Sequence, residues 1–147
     1  MISEEYTVVL LLDSSDACAN LITLAFSTTG QPHLLRHEKN PVEFKDYLTK
    51  SIENQASEKY IKPRLILISA DELDDELRGL LKYIKTHELL KLIPVVVFCA
   101  TNCETAIGRD SAGYINSYIQ RTNNTDKDKE TITTLANYWL KWNNLPP

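Results

Sequence analysis

Three largely apolar runs punctuate the chain: TVVLLL at 7–12, PRLILISAD at 63–71 and IPVVVFC at 93–99. Runs of that length and purity read as strands of a parallel sheet covered on both faces. Between them the period changes. After the polar stretch Asp13-Ser14-Ser15-Asp16, the apolar residues Cys18, Leu21, Ile22, Ala25 and Phe26 repeat at helical spacing, and Gly30 stops the helix. Residues 31–37 hold Leu34 and Leu35 in a shorter, more polar run, which suits an edge strand. Asn40 and Pro41 open a second helix as its cap and first residue, with Phe44, Tyr47, Leu48 and Ile52 along one face. A polar loop over 53–62 leads into the central run.

The acidic stretch 71–76 heads a third helix with Leu77, Leu80, Leu81 and Ile84 on one face, and residues 88–92 close it. Acids at a helix start suit the positive end of its dipole. Beyond the strand at 95–99 the pattern predicts a loop at 100–102, a short helix at 103–111 and a stop at Gly113. A fifth strand at 114–119, a polar loop at 121–129 and a last helix from 130 to about 143 follow. Strand and helix alternate throughout. This predicts one α/β domain over 1–147, a five-stranded parallel sheet in the order 2-1-3-4-5 with helices on both faces, and an extended C-terminal helix and tail.

Composition narrows the function classes. The chain has 147 residues, 43% apolar and 24% charged, an ordinary soluble domain. A net charge of −4 lacks the basic footprint of a nucleic-acid surface. The longest apolar runs are strand-sized, so no membrane span is expected, and the short acidic N-terminus is unlike a signal peptide. Cys18, Cys99 and Cys103 form neither a disulfide framework nor a zinc pattern, which suits a reducing, cytoplasmic setting. Cys99 and Cys103 read as one strand-end and one helix-start thiol. His33, His37 and His87 are scattered and read as surface residues.

In open α/β sheets, ligands bind beyond the carboxyl ends of the strands. Ser69 ends the central run and so stands at that place. The segments Leu12-Asp13-Ser14, PRLILIS at 63–69, IPVVVFCA at 93–100 and INSYIQR at 115–121 together resemble a response-regulator receiver domain (CheY-like). The resemblance spans essentially the whole chain. It is strongest to the small stand-alone receivers that partner bacterial phytochrome-type histidine kinases, which tend to end in a motif like YWLKWNNLPP at 138–147.

That resemblance implies a site of five parts. Two acids after the first strand hold Mg²⁺, whose hard character calls for carboxylate oxygens. An aspartate after the third strand accepts phosphate. A Thr or Ser after the fourth and a Lys after the fifth, usually followed by Pro, neutralise the phosphoryl oxygens. Here the acid pair is Leu12-Asp13, the phosphoacceptor position holds Ser69, the hydroxyl position holds Cys99 with Thr101 two residues on, and Arg121-Thr122 stands for Lys-Pro. A serine hydroxyl is a poor acceptor without a general base, and arginine does not reproduce lysine's geometry. Asp13 and Asp16 are too few carboxylates for a metal, and Asp71 is a displaced acceptor candidate. Asp13 reads instead as a helix cap or as an ion-pair partner for Arg121.

The last helix carries two stripes. Ile132, Leu135, Ala136 and Trp139 suit the sheet; Tyr138, Trp142 and Leu145 lie about 100° round and suit an interface. The reading is a pseudo-receiver of a two-component phosphorelay: not an enzyme, without cofactor, with no output domain. It would act by protein contact, as a homodimer and with a sensor histidine kinase or another signalling protein. An atypical phosphorylatable regulator, which would need Mg²⁺, is the alternative. A flavodoxin-like small-ligand binder fits less well, because no glycine-rich loop follows the first strand.

Overall fold

The computed structural model describes residues 7–53, 59–100 and 113–142. The apolar runs form strands β1 (Thr7–Leu12), β3 (Leu65–Ala70) and β4 (Val95–Cys99); the more polar β2 (His33–Glu38) and β5 (Ser117–Gln120) take the edges. All pairings are parallel and the order is β2-β1-β3-β4-β5, as the alternation predicted. The four described α-helices are α1 (Asp16–Ser27), α2 (Pro41–Glu53), α3 (Asp75–Thr86) and α4 (Thr125–Asn137), and a π-helical turn (Tyr138–Trp142) extends α4.

Successive strand side chains point to opposite faces, and the core splits accordingly. Leu10, Leu12, Ile66, Ile68, Val95 and Val97 pack under α2 and α3. Val9, Leu11, Leu65, Leu67, Val96 and Phe98 pack under α1 and α4. This is why the inner strands had to be apolar throughout. Gly30 follows α1 with φ +71°, the left-handed conformation that favours glycine after a helix end.

Several boundaries depart from the sequence reading. Residues 88–92 do not close α3. The helix ends at Thr86, and His87 turns to extended backbone. Lys85 reaches past that end and donates to the carbonyls of Ile93 (2.6 Å) and Lys91 (3.2 Å), which folds the connection back. The fifth strand is shorter than predicted, because Tyr114 and Ile115 pack against the core before pairing begins at Ser117. The stretch 121–129 is not all loop. Asn124 caps α4 by accepting from the Lys127 N–H at 3.1 Å, and Asp126 and Asp128 lie in the first turn. A helix start made of polar residues carries no hydrophobic period, so only its cap chemistry marks it. The α-helical geometry also stops at Asn137 rather than near 143. The expected helix at 103–111, with Cys103 and Thr101, lies outside the described residues, as does Leu145. Among the described residues no helix is long and apolar enough to cross a membrane.

Candidate functional site

The ladders place the candidate residues side by side. Leu12 pairs with Ile68, so Asp13 and Ser69 each come one step later on neighbouring strands. Ala70 pairs with Cys99 and Cys99 with Gln120, which puts Arg121 one step beyond β5 at the same edge. The backbone locks this arrangement: Asp13 N–H donates to Glu38 O at 3.1 Å, Ala100 N–H to Ala70 O at 3.1 Å, and Arg121 N–H to Cys99 O at 2.8 Å.

Asp13 is buried at 2% exposure. Its Oδ1 accepts from the Ser15 N–H at 2.9 Å and shapes the turn into α1, while Ser15 itself is the cap, accepting from the Cys18 N–H at 3.2 Å. Asp13 Oδ2 is buried without a hydrogen-bond partner. The Asp13–Arg121 pair expected from sequence does not form. The Arg121 Nη2 lies 3.4 Å from Asp71 Oδ1 instead, its Nη1 donates to Cys18 Sγ at 3.5 Å, and its guanidinium stands over the Phe98 ring at 5.5 Å. The Arg121 Nε is buried without a partner.

Ser69 is 3% exposed, and its Oγ lies 3.4 Å from Cys18 Sγ. Cys18 is therefore part of the site's wall, a residue the sequence reading assigned only to the apolar stripe of α1. Burial pushes the Cys18 thiol above its ordinary pKa. The hydrogen bond with Ser69 opposes this, the Asp13 carboxylate adds to it, and the positive Arg121 pulls it down. Cys99 is fully buried, with its Sγ 3.6 Å from Asp71 O, and is no open hydroxyl substitute.

Asp71 lies in the segment before α3 with its carboxylate 91% exposed and turned to Arg121. Asp16 points away, pairing with Lys39 at 3.0 Å on the surface. His37 is no mere surface residue: its Nε2 hydrogen-bonds Asp13 O at 2.7 Å and ties β2 to the site. Nothing in the spacing of His37 announces that bond, since it depends on parallel pairing of β1 with β2. A cleft of about 240 Å³ opens between Ser14, Lys39, Ser69, Asp71 and Glu76. A second groove, of about 830 Å³, runs between β5 and α4 along Ser117, Ile119, Thr131, Leu135, Tyr138 and Trp139.

Comparison with known proteins gives a consistent kinship. No protein-family model matches the chain. The chain is 29% identical over 147 residues to the probable methanogenesis regulatory protein FilR2 of Methanothrix harundinacea, covering 98% of this chain and 90% of the relative. It is 25% identical over 139 residues to the response regulator Rcp1 of Synechocystis sp., covering 95% and 92%. The crystal structure of the Mn²⁺-bound form of Rcp1 superposes with a TM-score of 0.83 over 96% of this chain and 99% of that one. The phosphorylated cyanobacterial phytochrome response regulator RcpA superposes with a TM-score of 0.81 at 26% identity, over 97% and 99%. The fold is that of receiver domains, and Rcp1 and RcpA are response regulators.

The described carboxylates near this sheet edge are spread apart. Leu12 precedes Asp13, Asp16 is committed to Lys39, and Asp71 faces a guanidinium. Among the described residues, no group of three or more His, Cys, Asp or Glu is placed to hold a metal ion.

Proposed function

We propose, from this kinship with response regulators of two-component systems, that the chain is a pseudo-receiver: a phosphorylation-independent interaction module of such a pathway. The observation that carries the reading is Ser69 at the acceptor position, buried against the Cys18 thiol, with Asp13 as the one buried carboxylate that directly follows a described strand. Aspartyl phosphorylation needs an acyl acceptor, a metal to draw charge from the phosphoryl oxygens, and a free cation behind them. Here the acceptor is a hydroxyl whose Oγ contacts the Cys18 sulfur rather than a carboxylate, the acid pair is halved, and the cation already faces Asp71 and Cys18. The module acts by contact rather than catalysis and requires neither Mg²⁺ nor another cofactor. Its partners are a sensor histidine kinase or another signalling protein in the cytoplasm, together with a second copy of itself through α4 and β5; nucleic acid is not among them. Tyr138 and Trp142, at 52% and 74% exposure, support that choice of face.

The test is intact-protein mass spectrometry after incubation with acetyl phosphate, with and without Mg²⁺, beside a phosphorylatable receiver as control. The expected result is an unmodified mass. A Mg²⁺-dependent adduct that hydroxylamine removes would be an acyl phosphate on a displaced aspartate, Asp71 or Asp13, and would overturn the reading in favour of an atypical phosphorylatable regulator.

A further inference from the structure

The position of Arg121 is not explained by what its side chain touches. Its guanidinium meets a thiol sulfur at 3.5 Å, a carboxylate oxygen at 3.4 Å on a side chain that is 91% exposed, and the Phe98 ring at 5.5 Å, and its Nε has no partner. Sulfur is a weak acceptor and a solvent-exposed ion pair contributes little. Yet the side chain is only 17% exposed, which costs rotamer freedom and leaves a donor unsatisfied. The Phe98 contact helps, and something else seats the side chain as well.

The backbone on either side does. Upstream, Arg121 N–H is fixed on Cys99 O. Downstream, the next residue is gripped by a buried carboxylate: Asp128, 6% exposed, accepts through one oxygen from both the Thr122 N–H (2.9 Å) and the Thr122 hydroxyl (2.8 Å). The same hydroxyl oxygen accepts from the Asn124 N–H at 3.1 Å, and Asn124 caps α4. Charge-assisted bonds to a buried carboxylate are the strong contacts of this neighbourhood.

We propose that Asp128 is the positioning residue of an arginine latch: by clamping Thr122 to the first turn of α4, it holds the Arg121 guanidinium against Cys18 and closes the site at the sheet edge. The inference rests on geometry and does not depend on the pseudo-receiver reading, since a seated arginine is compatible with either outcome of the acetyl phosphate experiment.

Cys18 reports on the latch. The groups that bear on its thiol are Asp13 after β1, Ser69 at the end of β3 and Arg121 after β5. Of these, Arg121 alone brings positive charge that favours the thiolate. The experiment is the pH profile of alkylation of Cys18 by iodoacetamide in the full chain. It is resolved by peptide mass spectrometry, so that Cys99 and Cys103 do not interfere, and each variant is normalised to its own alkaline plateau. Variants are Asp128→Asn, Thr122→Val, Arg121→Gln and, as control, Asp126→Asn, which removes an exposed acid from the same helix turn.

Releasing the latch removes a positive neighbour, so Asp128→Asn, Thr122→Val and Arg121→Gln each move the Cys18 midpoint upward, read as slower alkylation at neutral pH. Both trivial explanations have the opposite sign. Neutralising a carboxylate favours the thiolate directly, and general loosening exposes the thiol and lowers its pKa. Thr122→Val keeps every charge and covers the case in which Asp128→Asn does not fold. A midpoint that stays or falls in both Asp128→Asn and Thr122→Val overturns the latch, whatever Arg121→Gln does. So does a rise of equal size in Asp126→Asn.

Discussion

Ser69 shows how much one residue decides. Its hydroxyl sits 3.4 Å from the Cys18 sulfur, in a wall that also contains the unpartnered Oδ2 of Asp13. Restoring an acid by Ser69→Asp would bury a second carboxylate beside the first with no metal set to receive it. Like charges at close range raise the folded pKa of one of them. A group whose folded pKa is raised stabilises the protein below its unfolded value, near 3.9 for aspartate, and that contribution is lost as pH rises through the folded pKa. Ser69→Asp is therefore expected to cost about 1–3 kcal/mol at neutral pH, and less at pH 5 than at pH 8, measured by urea unfolding at both. It is also expected to stay unmodified by acetyl phosphate, because Leu12 and Arg121 remain. The position of Ser69 was legible because the strand-end rule needs only the apolar run before it. The partners were not. Cys18 lies 51 residues away and reads locally as helix stripe, and Asp71 meets Arg121 across 50 residues, so both contacts exist only once the sheet order is built.

At the scale of elements, legibility followed the kind of signal each segment carries. Helix α3 was plain, with Leu77, Leu80, Leu81 and Ile84 buried in the period expected. Its start is set by Asp74, whose Oδ1 accepts from the Leu77 N–H at 2.9 Å. Asp74→Ala removes that acceptor and leaves an orphan donor at the helix start, so it is expected to lower stability by about 1 kcal/mol in chemical denaturation. Asp75→Ala, one residue on with no role in the cap, should cost less than half of that, because it loses only a dipole contact and an exposed pairing with Arg78 at 3.5 Å. The end of α3 was not legible, because it depends on Lys85 finding the carbonyls of Lys91 and Ile93 several residues later. The start of α4 was half legible. Asn124 and the acids behind it spell a cap, but RTNNTDKDK contains no apolar residue to show which face would be buried. The buried member turned out to be Asp128, held down by hydrogen bonds to Thr122 rather than by hydrophobicity.

At the scale of the molecule, the sheet order followed from alternation and right-handed crossovers, and β5 is left as an open edge beside α4. That edge is where the aromatic residues gather. Tyr138 and Trp142 on the π-helical turn are 52% and 74% exposed, and Tyr138 lines the groove of about 830 Å³, whereas Tyr118 on β5, 45% exposed, alternates with Ser117 and Ile119 and points to the other face. Trp139 folds inward against the α4 side of the core instead, edge-on to Tyr138 at 5.1 Å, while Tyr138 and Trp142 stay exposed. A standard stable interface takes about 800 Å² from each partner, and each large aromatic contributes at most about 150–250 Å². Scaled by their exposures, Tyr138 and Trp142 therefore account for roughly a quarter to two fifths of the patch, and they would anchor it. A two-fold arrangement brings the same patch of both copies together. Sedimentation equilibrium is expected to find a dimer for the unaltered chain and a monomer for Trp142→Glu with Tyr138→Ser. Because neither side chain belongs to the core, the double variant is expected to unfold at the same denaturant concentration when both chains are compared at a dilution that leaves both monomeric. A monomer for the unaltered chain at tens of micromolar would remove the self-association, and the same aromatic face would then have to be met by a different protein.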